Sequence, residues 1–110
     1  MELMVGGETL ARTGDGFLRD AAQWSEAVAE TLAAADNTLL TPAHWEIIRF
    51  IRAYYQRFQH LPNMRMFVGA VRRELGAEKG NSAYLHQLFP QGPLKYACKW
   101  AGLPKPPTCL

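Results

Sequence analysis

Between Thr41 and Phe58 the apolar residues fall on one side of a helical wheel. Trp45, Ile48, Ile51, Tyr55 and Phe58 recur every three or four positions, Ile47 and Tyr54 widen the stripe, and Glu46, Arg49, Arg52, Gln56 and Arg57 take the other side. That period predicts a long amphipathic helix, the main core element. Thr41-Pro42 marks its start, a hydroxyl able to accept from exposed N–H groups followed by a proline whose missing donor is not needed in a first turn. Upstream, the same rule holds at Trp24, Val28, Leu32 and Ala35, which predicts a helix from about Asp20 to Ala35.

Downstream of Leu61-Pro62, residues Met64, Phe67, Val68, Val71 and Leu75 predict a third helix that stops at Gly76. Asn81 is placed to cap a short fourth helix carrying Tyr84, Leu85, Leu88 and Phe89, which Pro90 ends. Gly92-Pro93 opens a fifth through Leu94, Tyr96, Cys98 and Trp100 to Gly102. At the other end of the chain, polar and apolar residues alternate around Gly6-Gly7 and Gly14-Asp15-Gly16, the pattern of a small β-hairpin or meander. The expected fold is therefore α+β and mostly α: a β-hairpin at about residues 3–18 packed on an array of about five helices within 20–102, as one compact domain 1–102. The last eight residues, LPKPPTCL, hold three prolines that remove backbone donors, which predicts an extended, solvent-facing arm over 103–110.

Charge changes this picture in one respect. The net charge is only +2, yet residues 1–48 carry eight Asp/Glu against Arg12 and Arg19, while residues 49–110 carry ten Lys/Arg against Glu74 and Glu78. After Glu78 the only charged side chains are Lys79, Lys95, Lys99 and Lys105, so both cysteines of the chain, Cys98 and Cys109, lie in a cationic stretch. Two readings stay open: a solvated basic face, or positive charge that favours thiolate over thiol and steers an anionic partner. Arg65, Lys79, Lys95 and Lys105 are the candidate thiolate-stabilising or docking residues. No signal-peptide pattern and no apolar run of membrane-spanning length occurs, so a cytoplasmic location without membrane insertion is expected. No phosphate-binding glycine motif and no serine nucleophile elbow is present, and no cofactor is expected.

In a reducing compartment two cysteines read as thiols, a reactive couple or metal ligands, and metal fits least, because His44, His60 and His86 match no tight zinc spacing. Cys109, with only Leu110 beyond it, is placed to enter a partner's active site; the plainer alternative is a frayed terminus that happens to hold a cysteine. Cys98 by itself reads as a small core residue of the fifth helix. Gly102 supplies a hinge between them, and an arm of about 3.3 Å per residue has the contour to bring the two thiols together. Closing such a loop costs on the order of 3 kcal/mol. The chemistry so permitted is a persulfide on Cys109 that Cys98 resolves as an intramolecular disulfide, a carrier and co-substrate in place of a stand-alone catalyst.

The segments DGFL, LTPAHWEIIRFIRAYY, EKGNSAYLHQLFPQGP and ACKWAGLPKP, followed by the penultimate Cys109, cover nearly the whole chain and resemble the DsrC/TusE family. The resemblance implies a small N-terminal β element on a helical array, a flexible C-terminal arm and sulfur transfer. Within the family, TusE-like proteins keep only the penultimate cysteine and take sulfur from a TusBCD complex on the way to tRNA 2-thiouridine. DsrC-like proteins add the second cysteine and serve dissimilatory sulfite reductase, carrying sulfur between the two thiols as a trisulfide. Cys98 places the chain on the DsrC-like side, so the implied partners are dissimilatory sulfite reductase and its membrane electron-transfer complex, or a TusBCD/DsrEFH-like sulfur donor. The arm ends Pro-Pro-Thr-Cys-Leu and lacks the glycine that DsrC members commonly place beside this thiol.

A reading from another class is a helix-turn-helix DNA binder formed by residues 63–75, the turn 76–80 and residues 81–89, with Arg65, Arg72 and Arg73 nearby. DNA is the less favoured partner, because the second of these helices holds Asn81, Ser82, His86 and Gln87 but no Lys or Arg to meet phosphates.

Overall fold

The computed structural model describes residues 2–107. Strands β1 (Glu2–Val5) and β2 (Glu8–Ala11) pair antiparallel, Val5 opposite Glu8, through a two-residue turn in which Gly6 and Gly7 both have positive φ. That turn type matches the twist of a hairpin and requires the glycines. Helices α1 (Glu26–Ala35), α2 (Pro42–Phe58), α3 (Met64–Leu75), α4 (Ser82–Leu88) and α5 (Pro93–Trp100) follow. The mostly helical α+β architecture expected from the pattern is the one observed.

Helix α5 is the hub, packing against α1, α2, α3 and α4, while α1 also packs on β1. Its Trp100 is fully buried with Phe17, Phe67, Phe89, Leu32, Ile47, Ile48 and Ile51. Phe89 and Trp100 stack at a tilt with centroids 5.4 Å apart, and the edge of His44 meets the Phe89 ring at the same separation. His44 does two further things. Its Nδ1 accepts from the Thr41 N–H (3.1 Å), completing the cap of α2, and its Nε2 lies 2.7 Å from the Leu88 carbonyl, tying α2 to the end of α4.

Three expectations are corrected. The helix predicted from Asp20 does not run unbroken: Asp20 Oδ1 accepts from the Ala22 N–H of a separate 3-10 turn (Ala21–Gln23), Trp24 is extended, and α1 starts only at Glu26, where Ser25 Oγ accepts from Val28 N–H. Two short polar side chains thus outcompete helix continuation, and the break turns Trp24 away from α1. On α2, Phe58 was expected inside but is 45% exposed, because the last turn overhangs the packed region. Arg52, expected outside, is half-buried, its guanidinium 3.7 Å from the centroid of the Trp24 ring.

The turn from α3 into α4 is closed by a near contact of backbones. A Cβ on Gly80 would lie 2.2 Å from Arg72 Cα, and the Arg72 Nε–H donates to the Gly80 carbonyl at 3.1 Å. Gly80→Ala is therefore expected to destabilise the fold by about 3 kcal/mol, since the atoms in the way are helix backbone and cannot rotate aside. Urea denaturation of the variant measures this; a loss under about 1 kcal/mol means that the approach relaxes freely.

Candidate functional site

The end of α5 is where the chain turns toward its C-terminus. A helix leaves its last carbonyls without intrahelical partners, and here three of them meet donors from three directions. Trp24 Nε1–H donates to the Trp100 carbonyl (2.9 Å), Arg52 Nη1 to the Ala101 carbonyl (2.7 Å), and the Leu103 N–H to the Cys98 carbonyl (3.0 Å). Burial of the Arg52 guanidinium lowers its pKa from the ordinary value. The break at Trp24 and the inward turn of Arg52, both missed by periodicity, serve this one place.

Gly102, the expected hinge, sits in a left-handed turn (φ +71°) with Trp24 against its α-carbon, where a Cβ would lie 2.4 Å from Trp24 Cδ1. The turn is thus closely packed. Beyond it, the segment expected to face solvent from residue 103 does so only in part: Pro104, Lys105 and Pro107 are exposed, Leu103 and Pro106 are buried, and Lys105 Nζ pairs with Asp15 (3.1 Å) in the loop after β2. Leu103 and Pro106 found places in the body, which proline content alone does not forbid. The Lys105 ammonium, first by its hydrogen bond and then by its charge, lowers the pKa of Asp15, with smaller help from Lys95 and Lys99. The contribution of this pair is present above the unfolded carboxyl value of 3.8 and is lost only as pH falls below it, through the lowered folded value.

The two thiols part company. Cys98 has 0% exposure on α5, within the core cluster that includes Ala97, Trp100 and Leu103. Cys109 lies outside the described residues. The four candidate cations also divide. Lys95 and Lys105 share the field around Asp15, whereas Lys79 is tied to Glu46 of α2 at 2.7 Å, which raises the Lys79 pKa, and Arg65 is exposed on the first turn of α3.

The structure adds a group that the pattern did not single out. Lys99, also near Asp15, is buried, and its Nζ lies 2.9 and 3.0 Å from the two carboxylate oxygens of Asp36, the residue that caps the end of α1. Trp100 Nε1–H donates to the same carboxylate at 2.9 Å. The only sequence signal was a lysine inside the apolar run of α5. This cluster clamps α5 to α1 directly beneath the loop that carries Asp15.

No helix among the described residues is long and apolar enough to cross a membrane. The family of DsrC-like proteins matches residues 4–110. Sulfurtransferase TusE of Pectobacterium atrosepticum is 50% identical over 104 residues, covering 94% of this chain and 95% of that protein. Sulfurtransferase TusE of Salmonella choleraesuis is 46% identical over 108 residues, covering 98% and 99%. Among solved structures, Allochromatium vinosum DsrC superposes with a TM-score of 0.89 at 46% identity, and the oxidized gamma-subunit of the dissimilatory sulfite reductase (DsrC) from Archaeoglobus fulgidus with 0.86 at 43%, each over the full length of both chains. A match that runs from the first strand through the segment pinned behind α5, joined to full-length structural likeness, makes this chain a member of the DsrC-like family.

Proposed function

We propose that this protein is a sulfur carrier that receives sulfur on Cys109 and passes it onward in a relay of the TusE kind, toward tRNA 2-thiouridine. One observation carries the reading. Cys98 is enclosed in the core, so an outside donor has no path to it in this fold, and sulfur from a partner enters at the other thiol. In the loading step the Cys109 thiolate attacks the outer sulfur of a donor persulfide; a new S–S bond forms on Cys109 and the donor leaves as a thiolate. The transfer needs no other oxidant or reductant. The Cys98 residue had favoured the dissimilatory branch, but the curated relatives at 45–50% identity carry the name TusE, and this supports the tRNA-thiolation relay more strongly. Membership in the family supports the thiol reading over the helix-turn-helix one, and a sulfur-donor protein as the first partner. The cytoplasm is where such a relay works.

A second reading keeps one observation in its favour, the presence of Cys98 itself. In a two-thiol cycle Cys98 attacks the inner sulfur of the Cys109 persulfide, an S–S bond forms between the two residues, and hydrosulfide leaves. Loading of the Cys98→Ala variant separates the two. With a persulfide donor, intact-mass measurement is expected to show one added sulfur atom on the variant, as on the wild type, and onward transfer to a small thiol acceptor at the wild-type rate within about twofold. Loss of onward transfer in the variant, together with an intramolecular Cys98–Cys109 disulfide formed by the loaded wild type, returns the assignment to the dissimilatory branch.

A further inference from the structure

Helices α2 and α3 enclose a groove of about 460 Å³ that plays no part in holding the C-terminal segment. Its α2 wall is Phe50, Ala53, Tyr54, Arg57 and Phe58, and its α3 wall is Ala70, Arg73 and Glu74. Met66 stands one helical turn before Ala70 on the same side of α3. Phe58 and Met66 are 45% and 49% exposed, two of the four large hydrophobic side chains left in water among the described residues. Tyr54, Phe58 and His60 form an aromatic cluster, with 4.7 Å between the centroids of the first two, and Arg57 lies over the Phe58 ring. Arg57 and Arg73, and Arg65 on the approach, form no ion pair among the described residues.

We infer that this groove is a docking site for an amphipathic helix of a protein partner, apolar on the face it inserts and acidic along its edges. The α2 wall runs over nine residues, about 13 Å, which matches the two turns that a helix presents through positions i, i+4 and i+7. The floor of Phe50, Ala53 and Ala70 is apolar and takes such side chains, while the unpaired arginines at the rim select for carboxylates. Glu74 in the same wall repels carboxylate and phosphate alike, so it is the apolar floor that favours the inserted side chains of a protein over an RNA backbone. The inference goes beyond the carrier reading and does not depend on Cys109.

The test uses the full chain, labelled with nitrogen-15 and titrated with a designed helical peptide bearing leucines at i, i+4 and i+7 and glutamates on both flanks. The comparison probes are the same peptide with lysine flanks and a short single-stranded RNA. Saturable shifts confined to Ala53, Tyr54, Phe58, Ala70 and Glu74 are expected with the acidic peptide, at least about tenfold weaker binding for Arg57→Glu/Arg73→Glu and for Phe58→Ser, and no change for Met4→Ser on the hairpin. These substitutions are at exposed positions, and the spectrum of each variant reports whether it remains folded. Equal binding of the lysine peptide, preferential binding of the RNA, shifts spread over the basic surface, or no saturable shift overturns the proposal.

Discussion

Replacing Cys109 by Ala is expected to reduce sulfur loading to the level of untreated protein while leaving the fold unaltered. The reason is geometric as much as chemical. A thiol exchanges as thiolate and by direct attack, so it must reach the donor's sulfur, and the remaining thiol of the variant has 0% exposure. Intact-mass measurement after treatment with a persulfide donor reads the effect directly. The circular dichroism spectrum should be unchanged and the stability from urea denaturation should stay within about 0.5 kcal/mol of wild type. Full loading of this variant would place the working sulfur on Cys98 and remove the carrier role from the C-terminal thiol. The neighbourhood of the exit adds a salt dependence: Lys95, Lys99 and Lys105 surround Asp15 and leave net positive charge there, so loading by an acidic donor protein slows as ionic strength rises.

The largest effect expected on stability comes from Asp36→Ala. The carboxylate holds the Lys99 ammonium at 2.9 Å and the Trp100 indole N–H at 2.9 Å, and the side chains of Lys99 and Asp36 retain 8% and 18% exposure. Its removal leaves a buried cation and a buried donor with no substitute, a loss of about 3–5 kcal/mol. That is a large share of the roughly 5–15 kcal/mol by which domains of this kind are stable. The diagnostic comparison is Asp36→Ala/Lys99→Met, which removes both charges and is expected to recover more than half of the loss, because the ion pair repays little beyond its own desolvation. Urea denaturation of the single and double variants checks both statements. If the single variant loses less than about 1 kcal/mol, the pair behaves as an exposed one and water reaches Lys99.

Much of the architecture was legible because periodicity reports burial. The stripes on α2 and α3, the Thr41 and Asn81 caps and the glycine turn of the hairpin are local signals, and each is read from neighbours within a turn or two. What escaped depends on partners far along the chain. Arg52 reads as an outward residue until Ala101 offers a carbonyl 49 positions away, and Lys99 breaks an apolar run until Asp36 meets it from 63 positions upstream. Trp24 sits at helical spacing from Val28, yet the capping hydroxyl of Ser25 stops the helix, and the ring closes instead over Gly102. Membership of the family was legible for a different reason: the motifs that carry the resemblance are contiguous segments of the sequence. The choice between branches was less so, because one cysteine pointed to the two-thiol type while the relatives' names point to the relay.

The burial of Leu103 and Pro106 bears on the proposed handover of sulfur. Two residues lie between Pro106 and Cys109, so three Cα–Cα steps give a maximum of about 11 Å of fully extended backbone. On the proposed carrier reading, so short a tether leaves the sulfur a small volume to search, and donor and acceptor each bring their reacting sulfur to the same patch of this small protein, one after the other. The body then acts as a mooring point, and the order of delivery follows from which partner occupies the berth.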